Sequence, residues 1–307
     1  MKKELKHYLL IMLKGLGMGA ADVVPGVSGG TIAFITGIYE ELIHSIKSID
    51  MGAVKLFFSG NWGSFWKHIN GNFLLAVFAG IAVAVISLAK ILEHLLESQP
   101  VLIWSFFFGL ILVSSFVVAK RIKVWDYARL MVLVSGIAAA FYITSITPAE
   151  TSNAFWFVLL SGVLASCAMI LPGISGSFIL LLLGKYEFAL NAVNEVDIIS
   201  LLLLGTGAVI GLLSLSRVLS WLFRKFHDIT VALLAGFMIG SLNKIWPWKE
   251  TIRTVVMEGV EKPLMQKNIL PSFGQKDDQL IAAILMMLLG IGLILLFELA
   301  FKRKEIN

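Results

Sequence analysis

The residues best placed to do chemistry occur twice, in two copies of one short motif. Ala21 to Glu40 reads ADVVPGVSGGTIAFITGIYE and Ala168 to Glu187 reads AMILPGISGSFILLLLGKYE, identical at nine of twenty positions without a gap. In each copy a proline, Pro25 or Pro172, stops one helix, and a glycine, Gly26 or Gly173, takes dihedrals closed to other residues. Ser28 or Ser175 is then placed to cap a second helix that begins at Gly29 or Gly176. A helix N-terminus presents unpaired N–H groups and a partial positive charge, and glycine lets a ligand come close to that backbone. Gly29, Gly30 and Thr31 in one tip, and Gly176 and Ser177 in the other, therefore form a candidate site for a phosphate or carboxylate. A single break of this kind reads best as a tight turn that lets helices pack closely. Two copies that keep serine and glycine together favour a ligand. No GxxxxGK[ST] loop occurs, so the motif is not a nucleotide cradle.

Ionisable residues among apolar neighbours are the second source of chemistry, because each is costly at membrane depth and needs a partner or a task. Lys14 lies in the segment before the first break, and Lys90 and Arg217 occupy matching positions downstream of the two motifs. Arg217 offers a bidentate fork for a phosphate, with Lys90 or Lys14 to neutralise charge; snorkelling to an interface is the plainer reading of Lys90 and Arg217. Asp22 stands beside the first break, where the second copy has Met169, and Glu40 and Glu187 share one repeat position. These three are candidates for gating or for coupling to a proton or sodium gradient. The five histidines, His7, His44, His68, His94 and His227, form no metal-ligand or nucleophile-base pattern. The expectation is therefore no catalytic residue, no metal and no cofactor.

The rest of the chain must position these groups inside a bilayer. Of 307 residues, 58% are hydrophobic and 15% charged, and the mean hydropathy is +0.88, far from a soluble domain and from a nucleic-acid binder. The net charge of +5 is assigned to basic cytoplasmic loops rather than to acidic partners. Cys167, the sole cysteine, excludes an intramolecular disulfide. The N-terminal stretch has the outline of a secretory signal, but Lys14 interrupts it and the segment after Lys14 recurs later in the chain, so it reads as part of the mature fold.

Six apolar runs have spanning length: 73–93, 101–119, 130–147, 200–222, 229–246 and 280–300. Gly80, Ser87, Leu88, Lys90 and Gly109 align with Gly207, Ser214, Leu215, Arg217 and Gly236, at an offset shorter by about twenty residues than the motif offset. The extra residues fall in the loop from Asp50 to His68. The motif segments, 8–46 and 155–193, are about 57 Å long if helical, too long for one crossing of a core about 30 Å thick, so each reads as a re-entrant hairpin of two legs. Lysine and arginine then gather on one side, which places both termini in the cytoplasm. The expected fold is an all-α polytopic membrane protein built as an inverted-topology repeat. Residues 1–153 and 154–307 each hold one hairpin and three spans, and three crossings per half turn the second half over. Such repeats are a construction of secondary transporters. Trp62, Trp66, Trp156, Trp246 and Trp248 are assigned to interfacial belts.

At Ala21-Asp22-Val23-Val24-Pro25-Gly26-Val27-Ser28-Gly29-Gly30-Thr31 with Gly37-Ile38-Tyr39-Glu40, and at Leu171-Pro172-Gly173-Ile174-Ser175-Gly176-Ser177 with Gly184-Lys185-Tyr186-Glu187, the sequence resembles a bacterial and archaeal family of polyprenyl-phosphate transporters. Length, span count and repeat spacing extend the resemblance over nearly the whole chain. It implies movement of undecaprenyl phosphate across the cytoplasmic membrane, returning the lipid carrier of cell-wall synthesis, with the lipid as the partner and no nucleic acid involved. Spacing and composition alone give a twofold, anion-friendly site, which a carrier of a small soluble anion would also satisfy. The expectation is that the phosphate binds between the two tips.

Overall fold

The computed structural model describes residues 2–24, 26–149, 151–257, 260–271 and 279–305. Pro25 lies outside the described residues. In chain order the helices are α1 (Lys2–Val23), α2 (Gly29–Ile35), α3 (Tyr39–Lys47), α4 (Met51–Phe58), α5 (Trp62–His68), α6 (Gly71–Ser98), α7 (Pro100–Ala119), α8 (Tyr127–Ser145), α9 (Phe155–Ile170), α10 (Gly176–Leu182), α11 (Tyr186–Asn194), α12 (Ile198–Lys225) and α13 (His227–Ser241). An antiparallel pair, β1 (Lys249–Met257) and β2 (Val260–Asn268), then precedes α14 (Leu280–Glu305). Five helices, α6, α7, α8, α12 and α14, are long and apolar enough to cross a membrane. The chain is thus an all-α polytopic membrane protein carrying one small β-hairpin.

The sequence duplication is repeated in the packing. α1 packs along α6 as α9 packs along α12, and α7 packs along α14 as α8 packs along α13. The glycines responsible occupy equivalent positions. A Cβ on Gly15 would lie 2.3 Å from Val77 O, and one on Gly80 2.1 Å from Met12 O. In the second half, a Cβ on Gly162 would lie 2.3 Å from Leu204 O and one on Gly207 2.1 Å from Leu159 O. The other pair behaves alike: Gly109 faces Met287 O and Gly290 faces Phe106 O, while Gly236 faces Leu133 O and Gly136 faces Leu233 O. Close backbone approach at small residues replaces the hydrophobic drive that lipid cannot supply. Because α7 and α14 belong to different halves, as do α8 and α13, the two halves interlock.

Equivalent contacts should carry equivalent costs. Gly80→Ala and Gly207→Ala each push a methyl group into a backbone carbonyl that cannot rotate away. Each is expected to destabilise the protein by about 1–3 kcal/mol, with thermal unfolding in detergent showing two similar shifts. Unequal shifts would mean that the two seams are not copies.

Three features differ from the sequence reading. The second leg of each hairpin is not one continuous helix but two short ones, α2 with α3 and α10 with α11. Gly37 (φ 75°) and Gly184 (φ 61°) make the break, and α10 and α11 diverge by 109°. The bonds Ile38 N to Ala33 O (3.0 Å) and Gly37 N to Phe34 O (3.2 Å) form a Schellman closure, matched by Lys185 N to Leu180 O (2.8 Å) and Gly184 N to Leu181 O (3.0 Å). The expected loop Asp50 to His68 folds into α4 and α5, capped by Asp50 on Gly52 and Ala53 and by Asn61 on Ser64. Phe58, Trp62 and Trp66 lie exposed on this pair, as an interfacial element would have them. Finally, the run expected to span 229–246 is helical only to Ser241, 15 residues or about 22 Å. Residues 242–248 after it turn back towards the hairpin tips.

Candidate functional site

Each tip is a tight turn that the sequence dictates. In the second, Leu171 O accepts from Ile174 N at 3.4 Å, with Pro172 and Gly173 (φ 89°) at the central positions, the composition of a type II turn. In the first, Val24 O accepts from Val27 N at 3.0 Å and Gly26 has φ 88°. The two turns therefore open into α2 and α10 with the same geometry, and Ser28 and Ser175 both hold the extended conformation of an N-cap.

The tips meet. Ser28 Oγ donates to Met169 O (3.3 Å) and Leu171 O (3.2 Å), and the Tyr39 hydroxyl donates to Ile170 O (3.0 Å). These are carbonyls at the C-terminal end of α9, which have no partner within their own helix. In return Gly173 N donates to Thr31 Oγ1 at 2.9 Å. Gly30 sits at the closest point, where a Cβ would lie 2.6 Å from Ile170 O. Ser28 and Thr31 are fully buried there.

The two N-termini differ in what caps them. At α2 the Asp22 carboxylate accepts from Gly29 N at 2.6 Å and Ser28 Oγ accepts from Gly30 N at 3.1 Å. A carboxylate thus already stands where an anionic ligand would sit. At α10, where Met169 replaces Asp22, Ser175 makes no capping bond and its hydroxyl instead pairs with Ser177 Oγ at 2.8 Å. A protein anion occupies one tip, and hydroxyls line the other.

The remaining sequence candidates spread over the molecule. Lys14 Nζ donates to Thr36 O at 2.7 Å, at the C-terminal end of α2 and about 12 Å from Ser28 along that helix. Arg121 joins it there, with Nη2 3.4 Å from Ile35 O and its guanidinium 5.6 Å from the centre of the Phe34 ring. Two cations on the negative end of a helix dipole hold α2 in place. Glu40, in the first turn of α3, lies 3.4 Å from His227 and lines a cleft of about 280 Å³ with His44, Ser220 and Arg224. Glu187 is exposed on α11, and Lys90 and Arg217 are exposed on α6 and α12, so the structure does not gather these three at the tips.

One cation that the sequence reading passed over does approach the tips, and a second stands beside it. Lys244 comes after α13, and its Cγ would lie 2.9 Å from a Cβ on Gly26, while its Nζ stands 4.4 Å from the centre of the Phe178 ring in α10. Lys249, at the start of β1, donates to Lys244 O at 2.6 Å and stands 4.0 Å from the centre of the Trp104 ring. Lys244 was legible only as part of an apolar run, and no periodicity marks a lysine whose partners are aromatic rings on other helices.

A polytopic helical membrane protein whose two broken hairpins interlock through polar groups defines the class. The chain matches the model of the VCA0040-like, undecaprenyl phosphate translocase-like family over residues 18–262, and it belongs to that family. A relative from Vibrio cholerae serotype O1, named polyprenyl-phosphate transporter, is 47% identical over 297 residues, covering 95% of this chain and 96% of its own. Another of the same name, from Staphylococcus aureus, is 34% identical over 257 residues, covering 77% of this chain and 85% of its own. No solved structure matches the chain.

Proposed function

We propose that this protein carries polyprenyl phosphate across the cytoplasmic membrane, and that the interlocked tips are its gate. The single observation behind the reading is the seam itself. Ser28, Thr31 and the Gly173 amide, groups able to bind a phosphate, are spent on closing one tip against the other. A phosphate can accept from the Ser28 hydroxyl and the Gly173 amide in place of their present partners, which offsets part of the cost of opening; the carbonyls of Met169 and Leu171 must then turn to water. The names of the relatives supply the substrate class.

The repeated packing supports an inverted relation between the halves, with rocking of one against the other to expose the site alternately. Charge supports an orientation. Lys47, Arg121, Arg129, Arg224 and Lys225 lie at the end where α3 meets α12 and α13 and α8 meets α13, through Lys47 to Ser220 (3.3 Å), His227 to Glu40 (3.4 Å) and Arg129 to Asp228 (3.8 Å). That end belongs in the cytoplasm, which places the β-hairpin outside. Return of undecaprenyl phosphate to the inner leaflet, for reuse in cell-wall synthesis, is the direction this reading serves.

Competition in proteoliposomes tests the substrate. Translocation of a fluorescent polyprenyl phosphate should be slowed by unlabelled polyprenyl phosphate and left unchanged by the uncharged polyprenol or by inorganic phosphate. Competition by inorganic phosphate alone would assign the protein to soluble anions instead.

A further inference from the structure

Lys244 and Lys249 belong to neither copy of the duplicated motif, yet Lys244 stands against both tips and Lys249 stands against Lys244. The Lys244 stem lies on Gly26 of the first tip and its ammonium faces the Phe178 ring in the first turn of α10, so one side chain crosses the seam. Lys249 anchors to the Lys244 carbonyl, and the Trp104 ring lies under its ammonium. Both side chains are half-buried. Among the described residues neither lysine has a carboxylate partner; the groups that face their ammoniums are two aromatic rings and a carbonyl oxygen. Desolvated cations normally sit beside a counter-ion, because removing charge from water is costly and two like charges raise that cost. A pair held together without one leaves room for an anion from outside the chain.

The geometry points to Lys244 and Lys249 as the receptor for a phosphate monoester laid over the seam between the tips. A phosphate monoester carries nearly two negative charges at neutral pH, which matches two ammonium groups. Lysine binds phosphate as a point charge and needs no bidentate geometry. The aromatic rings beneath add an apolar floor on which the first carbons of a lipid tail can rest. The same charge pair could receive a free phosphate, and separate titrations with lipid and free phosphate distinguish the two sources. An anion drawn to Lys244 also lies beside the donors that the seam would release on opening. This assignment rests on the polyprenyl-phosphate reading and names the residues that first meet its headgroup.

Isothermal titration of the full-length protein in detergent micelles tests it, with undecaprenyl phosphate, undecaprenol and inorganic phosphate as separate ligands. Wild type should bind the lipid phosphate much more tightly than the other two. Lys244→Gln and Lys249→Gln should each weaken it about tenfold or more, and Lys249→Arg should restore binding. Lys55→Gln, an exposed charge removed from α4, should change nothing. Wild-type affinity in both glutamine variants, at an unchanged unfolding temperature, would overturn the assignment while leaving the transport function standing. Should a glutamine variant unfold, failure of the folded Lys249→Arg variant to bind would overturn it equally. Equal affinity of wild type for undecaprenol would instead overturn the lipid-phosphate function, and inorganic phosphate binding as tightly as the lipid would keep the site and change its ligand to the free anion.

Discussion

Gly30→Val is expected to abolish translocation while leaving the protein assembled in the membrane. A Cβ at this position would lie 2.6 Å from Ile170 O and 3.2 Å from both Met169 O and Ser28 Oγ. The nearest atom is backbone at the end of α9, so the clash cannot be relieved by a side-chain rotation, and a branched residue widens it. The tips must part, and the bonds from Ser28 and Tyr39 to the α9 carbonyls stretch with them. Overpacking costs about 1–3 kcal/mol, and each lost hydrogen bond adds about 1 kcal/mol. That is enough to hold the seam open, yet local, because the glycine contacts that seat α1 on α6 and α9 on α12, at Gly15, Gly80, Gly162 and Gly207, lie elsewhere. Gly63→Val is the control, since nothing lies within 4 Å of the position its Cβ would take. Gel filtration should show both variants intact, and a leaflet-exposure assay should show transport lost only in Gly30→Val. Transport at the wild-type rate would remove the seam from the mechanism.

The second large effect is on pH dependence. Burial, with the charge of Lys244 beside it, pulls the Lys249 ammonium down from the ordinary lysine range to about 7. The groups that face it are Lys244 from the turn after α13 and the Trp104 ring from α7, neither of them a carboxylate. A phosphate favours the charged lysine. Below pH 7 the proton is already in place, and above it each binding event must take one up. Affinity for undecaprenyl phosphate should therefore fall by up to about tenfold per pH unit as pH rises above 7, until the bound-state value is passed. Below about pH 6 the phosphate itself gains a proton and binding weakens again. Lys249→Arg, whose charge does not titrate in this range, should lose the alkaline limb and keep the acid one. Titration between pH 5.5 and 9, wild type against Lys249→Arg, checks this, and parallel curves for the two proteins would contradict it.

How much of the fold was legible in the sequence depends on which interactions are local. Five of the six apolar runs fall on the five helices long enough to cross, because a helix in lipid must be apolar along its length: the run 101–119 is α7, Pro100–Ala119. The duplicated motif located both turns, because Pro172-Gly173 and its partner permit little else. Gly37 and Gly184 were visible as shared residues, but a lone glycine near the end of a helical pattern reads equally as packing or as a C-terminal cap, and the second break was missed for that reason. The caps at Asp50 and Asn61 were a readable sign of α4 and α5 that the expectation of a loop passed over. The seam was out of reach. Ser28 and Leu171 stand 143 residues apart, and no local pattern says that a hydroxyl on one hairpin will find a carbonyl on the other. Lys244 hid for the opposite reason, one lysine at the end of a run otherwise apolar enough to span. Lys14 was singled out as a cation for the phosphate, and its ammonium lies at the far end of α2, where a helix terminus attracts a positive charge as surely as its start attracts a negative one.

The most direct test of the central claim is leaflet exposure of a fluorescent polyprenyl phosphate in liposomes containing the purified protein, read with a quencher that cannot cross the membrane. If the interlocked tips open to pass a lipid phosphate, the quencher should reach the inner-leaflet pool in vesicles holding wild type, and only the outer pool in vesicles holding Gly30→Val or no protein. An inner pool that stays protected in the wild-type vesicles, with and without proton and sodium gradients, would contradict the account.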